Sequence, residues 1–203
     1  MATQTFTPTA TISTKIYNYG YYPLLKGDIA PLFHFNNDAF ISLQHYLDLQ
    51  QPLVIAFYDG LNQNLQTFNA LASLQGQVLE NGGNLIVVTN NTTRTFKKNL
   101  KQLDNLTVFF DADNEIAEKF GLYDAENPLT NWIAGIDNIN TTIPALYVVA
   151  PDRQIVYHHI DYQFNLFGKE SLANSVTEGL LDSVSTLATS YSYLRRWSKK
   201  LVS

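Results

Sequence analysis

Short apolar runs spaced along the chain and separated by helical periods constrain this sequence more than any other feature. Leu53-Val54-Ile55-Ala56-Phe57-Tyr58 and Leu85-Ile86-Val87-Val88-Thr89 show no alternation of apolar and polar residues. Such runs suit strands buried on both faces. Val108-Phe109-Phe110 and Ala145-Leu146-Tyr147-Val148-Val149-Ala150 read as two further strands, and Gln154–Ile160 returns after the Pro151-Asp152-Arg153 turn as a hairpin partner. Helical stripes fill the gaps. Leu65, Phe68, Leu71, Leu74 and Val78 share one face, and Asn81-Gly82-Gly83 ends that helix, because glycine takes the left-handed conformation of a helix exit. Phe96, Leu100 and Leu103 mark another helix. Ile116, Ala117 and Phe120 mark a short one, capped by Asp111 or Asp113, with Gly121 beyond its end. Before the first strand, Phe40, Leu43 and Leu47 predict a helix that Asn37 or Asp38 caps and Pro52 stops.

The last stretch, about 169–200, repeats Leu172, Val176, Leu180, Val184, Leu187, Tyr191, Leu194 and Leu201 at helical spacing. It predicts a long amphipathic helix in which Gly179 costs about 1 kcal/mol relative to alanine. Residues 122–143 form a long connection of a length that compact domains rarely carry without reason. Residues 1–23 read as a loose N-terminal arm and 24–203 as one domain.

Composition narrows the chemistry. The 203 residues are 45% hydrophobic and 15% charged, enough for a packed core under a sparsely charged surface. A net charge of −5 argues against nucleic-acid binding, which relies on a basic field. No apolar run approaches the roughly 20 residues that span a bilayer. The first twenty residues lack a cationic start and an apolar stretch, so the expected location is cytoplasmic, with no membrane partner. There are no cysteines, and Met1 is the only methionine. Disulfides, thiolate nucleophiles and thiolate metal sites are therefore closed to this chain.

Three motifs carry a family resemblance. Lys26-Gly27-Asp28-Ile29-Ala30-Pro31-Leu32-Phe33 is similar to the G-D-x-A-P-x-F motif of the AhpC/TSA peroxiredoxins. Pro144-Ala145-Leu146-Tyr147-Val148-Val149 resembles the P-A-T-Y-V-I-D strand of the peroxiredoxin-like branch, and Ile155–Tyr162 resembles the segment after it. The resemblance covers about residues 24–165. It implies an α/β thioredoxin-like fold, a mixed sheet flanked by helices, with a strand-helix insertion before the proline and an added C-terminal helix. The order of predicted elements agrees with that layout. It also implies a cis bond before Pro144 and a homodimer, since the family commonly pairs through sheet edges or helix faces.

The departures bear on function. Where the branch has F-Y-x-G-x-W-C-P-x-C, this chain reads Phe57-Tyr58-Asp59-Gly60-Leu61-Asn62-Gln63-Asn64-Leu65-Gln66. Gln63 and Gln66 stand at the two cysteine positions. The arginine of the family is also missing, because Asp161-Tyr162 continues Gln163-Phe164-Asn165. An amide is neither nucleophilic nor reducible by two electrons, so it cannot replace the thiolate that attacks peroxide. Catalytic residues are expected to be none, and no metal or cofactor is expected. Four histidines, His34, His45, His158 and His159, do not form a ligand set, since neighbours on a strand face opposite sides. Asp111 and Asp113 read as a helix cap rather than a paired acid and base.

The former active-site corner remains the candidate site: Tyr58, Asp59, Asn62, Gln63 and Gln66 at the start of the long helix, with Ile143 and Pro144 alongside. A helix N-terminus offers free N–H groups, so the corner suits a small polar ligand. Two readings follow. One is a redox-inactive binding or scaffold protein, for which a family label of antioxidant would rest on fold analogy alone. The other is an enzyme with non-thiol chemistry in the same corner, which would need a titratable pair or a metal beside Gln63. The basic and aromatic end, Tyr191–Lys200, reads first as a helix whose cations complement its own dipole.

Overall fold

The computed structural model describes residues 21–34, 42–58, 65–90, 106–131, 133–164, 166 and 174–201, with backbone alone for 65–68 and 194–201. Helix α1 spans Leu43–Asp48, strand β1 Leu53–Tyr58, helix α2 Leu65–Glu80 and strand β2 Asn84–Thr89. Strand β3 spans Thr107–Phe110, helix α3 Glu115–Lys119, strands β4 and β5 Ala145–Val149 and Ile155–Ile160, and helix α4 Asn174–Leu201. The predicted helix around Phe96–Leu103, the Asn37 and Asp38 caps, and residues 1–20 of the arm lie outside the described residues.

The sheet runs β3-β2-β1-β4-β5. β1 pairs in parallel with β2, and β2 with β3; β4 is antiparallel to β1, and β5 to β4. This is the mixed, helix-flanked sheet that the strand runs predict, with β3 and α3 as the insertion. β1 sits in the middle and every one of its residues is buried. Its continuous apolar run follows from that position, since a central strand has no solvated face. β3 is a sheet edge and is only half-buried throughout.

One face of the sheet holds Leu53, Ile55 and Phe57 against α1, α3 and Phe33. The other holds Val54, Ala56 and Tyr58 against Leu71, Leu74 and Val78 of α2 and Val176, Leu180 and Val184 of α4. Each fully buried Val, Leu, Ile or Phe side chain among them contributes about 1.5–3 kcal/mol. An aromatic cluster fixes the first face: Phe120 lies 4.9 Å from Phe57, 5.1 Å from Tyr147 and 5.9 Å from Phe33, ring centre to ring centre. Phe33, last residue of the N-terminal motif, is thus a core residue, and Ala30 is fully buried. The middle of that motif extends the sheet, because the Gly27 N–H donates to the Ile155 carbonyl at 2.8 Å and the Ile155 N–H to the Asp28 carbonyl at 2.9 Å.

Several local expectations shift. The first helix begins after Ser42, whose side chain makes no capping bond, and the chain turns at Gln50 with φ 56°, before Pro52 is reached. Tyr21, inside the stretch read as the arm, packs on the body: its ring is buried and its hydroxyl donates to the Asn127 carbonyl at 3.1 Å. No cis peptide bond occurs among the described residues, so the cis bond implied at Pro144 is absent.

Candidate functional site

The carboxyl ends of β1, β2 and β3 and the start of β4 lie at one end of the sheet. Registers align Tyr58 with Thr89, and Thr89 with Phe110, while Phe57 pairs with Ala145. Tyr58, the last residue of β1, and Pro144, just before β4, therefore stand close together, and Tyr58, Ile143 and Pro144 are all buried. Strand order reverses at β1, with its next strand in sequence on one side and β4 on the other, which is where open α/β sheets bind ligands. Asp59, Asn62 and Gln63 lie outside the described residues. Gln66 is placed in the first turn of α2 by its backbone.

Polarity concentrates at this end. Of the seven buried polar or charged side chains among the described residues, Thr89, Asp111, Asn114, Thr141, Thr142 and Asp161 stand here, and only Gln75 lies elsewhere. Burying such groups is costly unless their hydrogen bonds are made. Asp111 accepts from the Ala117 N–H at 2.9 Å and from the Ile116 N–H at 3.0 Å. Of the two predicted caps, it is the one that serves α3. Burial pushes its carboxyl above the ordinary value, partly opposed by those two N–H groups. Asp161, after β5, accepts from the Gln163 N–H at 3.0 Å and from the Leu166 N–H, while its own N–H donates to the Pro144 carbonyl at 2.8 Å. The turn that follows β5 is thus built around Asp161.

Three asparagines join the strand ends to the long connection. The Asn90 amide donates to Asn114 Oδ1 at 2.8 Å and to the Asn140 carbonyl. The Asn114 amide donates to the same carbonyl at 3.2 Å. Asn114 has φ 57°, a left-handed conformation that asparagine tolerates better than most residues. The Ile143 N–H, donating to the Leu122 carbonyl at 2.9 Å, closes the connection on itself. Sequence reasoning missed this clasp. Local pattern does not single out Asn90, Asn114 or Asn140 as partners.

The remaining candidates are dispersed. His158 lies across from Tyr147 and His159 across from Leu146, on opposite faces of β5 as predicted. Burial lowers the pKa of both. His34 bridges to Ser42, and His45 stacks edge-on against Tyr46. Among the described residues no three His, Asp or Glu side chains converge as metal ligands. Arg153 occupies the β4–β5 turn, at the opposite end of the sheet. No helix among the described residues is long and apolar enough to cross a membrane.

A central β1 flanked by parallel β2 and antiparallel β4, with a helix leaving the carboxyl end of β1, defines a thioredoxin-like domain. The sequence matches the AhpC/TSA family over residues 26–158, and the chain belongs to that family. Among solved structures it resembles the peroxidoxin BcpB of Mycobacterium tuberculosis (16% identity, TM-score 0.57, 80% of this chain and 97% of that one). It also resembles a peroxiredoxin-like protein of Aquifex aeolicus (15%, 0.56, 82% and 89%). A third is a thiol:disulfide interchange protein, DsbE, of Chlorobium tepidum (15%, 0.52, 81% and 99%). At these identities the likeness is one of fold. No curated protein matches by sequence. The chain itself carries no thiol to oxidise.

Proposed function

We propose that this chain is a redox-inactive member of the AhpC/TSA family that acts as a binding or scaffold protein. The observation that carries the reading is the absence of cysteine from a fold whose relatives act through thiols. Gln63 and Gln66 fill the two thiol positions and the arginine position holds Gln163-Phe164-Asn165. The described polar groups support a structural use of the former active-site end. Asp111 is committed to the α3 terminus, Asp161 to its own turn and the asparagines to one another. These commitments favour the binding or scaffold reading over a non-thiol enzyme at this end.

Within this reading the protein is a cytoplasmic homodimer that binds neither nucleic acid nor membrane. The start of α2 takes a small polar ligand through its free N–H groups and the amides that precede it. Light scattering tests the first part and a thermal-shift screen of small polar and anionic molecules the second. A dimer, and a ligand whose stabilisation is lost in Gln63→Leu, are the expected results. A monomer at all concentrations that no ligand stabilises would overturn the binding and scaffold reading.

A further inference from the structure

We infer that the His158 ring is a latch for the 24–28 segment, closed while the imidazole is neutral and released when it is protonated. The Lys26 N–H donates to His158 Nδ1 at 2.9 Å, across 132 positions of sequence. A ring nitrogen accepts only as a bare lone pair, so the closed state has its proton on Nε2. Protonation puts a second N–H on Nδ1, aimed at a backbone N–H, and the bond becomes a clash of two donors.

The surroundings decide how the ring titrates. From the 24–28 segment it faces Lys26, whose cation disfavours protonation, and Asp28, whose carboxylate favours it. His159 follows it on β5 and carries its own coupling to Asp161; Tyr147 pairs with it from β4. Asp28 is already engaged, since its carboxylate accepts from the Leu25 N–H at 2.7 Å. Burial outweighs the aspartate and holds the ring neutral to lower pH than a free histidine.

The latch governs one end of a short segment. Below it, the Gly27 N–H holds the Ile155 carbonyl and the Ala30 N–H the Arg153 carbonyl at 2.9 Å, neither of which depends on the ring. Above it, the Leu24 N–H holds the Phe120 carbonyl at 3.1 Å. Release therefore loosens Leu25 and Lys26 and leaves Ala30 in place. Four of the eight exposed large apolar side chains among the described residues, Tyr22, Leu25, Ile29 and Leu32, lie on or beside this segment. Of these, Leu25 is the one in the stretch that the latch releases.

Amide hydrogen exchange of the full chain, resolved by NMR and corrected for intrinsic pH dependence, tests the inference. Between pH 7.5 and 5.0 the Lys26 amide should lose at least about fivefold in protection, with a midpoint matching the His158 ring signals, while Ala30 stays unchanged. His158→Asn keeps an acceptor near the Nδ1 position and should hold Lys26 protected at both pH values. His158→Phe should leave it unprotected at both. An unchanged Lys26 amide in the native protein, or a pH step that persists in H158N, would overturn the latch. Those two outcomes remain decisive even where H158F does not fold.

Discussion

Gly121→Ala should destabilise this protein more than its size suggests, because two separate costs meet there. Gly121 has φ +69°, where an L side chain costs about 1–2 kcal/mol. An added Cβ would also stand 2.1 Å from the Tyr22 carbonyl oxygen, 2.5 Å from its carbon and 2.9 Å from the Pro23 nitrogen. These are backbone atoms that cannot swing away, so relief requires shifting residues 22–23 by about 1 Å. That shift pulls on the Leu24 N–H bond to the Phe120 carbonyl and on buried Tyr21, whose hydroxyl is tied to Asn127. One lost hydrogen bond and part of an aromatic burial add roughly 2–3 kcal/mol. The expected total is about 3–5 kcal/mol, or roughly 10 °C in Tm for a chain of this size. Gly135→Ala is the control: its φ is +89°, yet nothing lies within 4 Å of the new Cβ. It should lose only the conformational 1–2 kcal/mol. Urea denaturation of both variants separates the terms. If G121A is no less stable than G135A, the claimed packing of the Tyr22–Pro23 backbone on α3 is wrong.

Other expectations follow from the same contacts. Asp111→Ala should cost about 2 kcal/mol by uncapping α3, while Asp111→Asn, which keeps an acceptor, should cost less than half of that; thermal melts distinguish them. His158 and His159 have folded-state pKa values lowered by burial, so unfolding takes up protons below pH 6.5. Stability should be full above that pH and fall as acid titrates through the lowered values, and a His158→Asn, His159→Asn double variant should flatten the decline. Gly179→Ala gains about 1 kcal/mol of helix propensity, but its Cβ would sit 3.0 Å from the Tyr157 ring, whose hydroxyl is bound to the Val176 carbonyl at 3.1 Å. It should fail to stabilise the native chain and succeed in a Tyr157→Leu background, as a double-mutant cycle would reveal.

These examples show where sequence reasoning reaches and where it stops. β1 and β2 were legible because burial on both faces leaves a continuous apolar run, and the Gly82 exit because left-handed glycine follows a helical stripe. Asp111 was legible as a cap because the bond it makes spans only five or six residues. Gly179 looked like a plain defect, since its purpose depends on a ring delivered by another element. The Asn90–Asn114–Asn140 clasp and the Lys26–His158 bond join residues 24 to 132 positions apart. Local pattern carries no trace of such pairs, because polar residues in turns look alike whatever they bind. The loss of thiol chemistry, by contrast, needed no structure: it is a statement about which atoms the chain contains.

Peroxide consumption by the purified protein, with a thiol reductant in excess, tests that statement most directly. The account predicts a rate equal to the protein-free background for hydrogen peroxide and alkyl hydroperoxides alike, and at most weak activity after Gln63→Cys. Catalytic turnover by the native chain would contradict it.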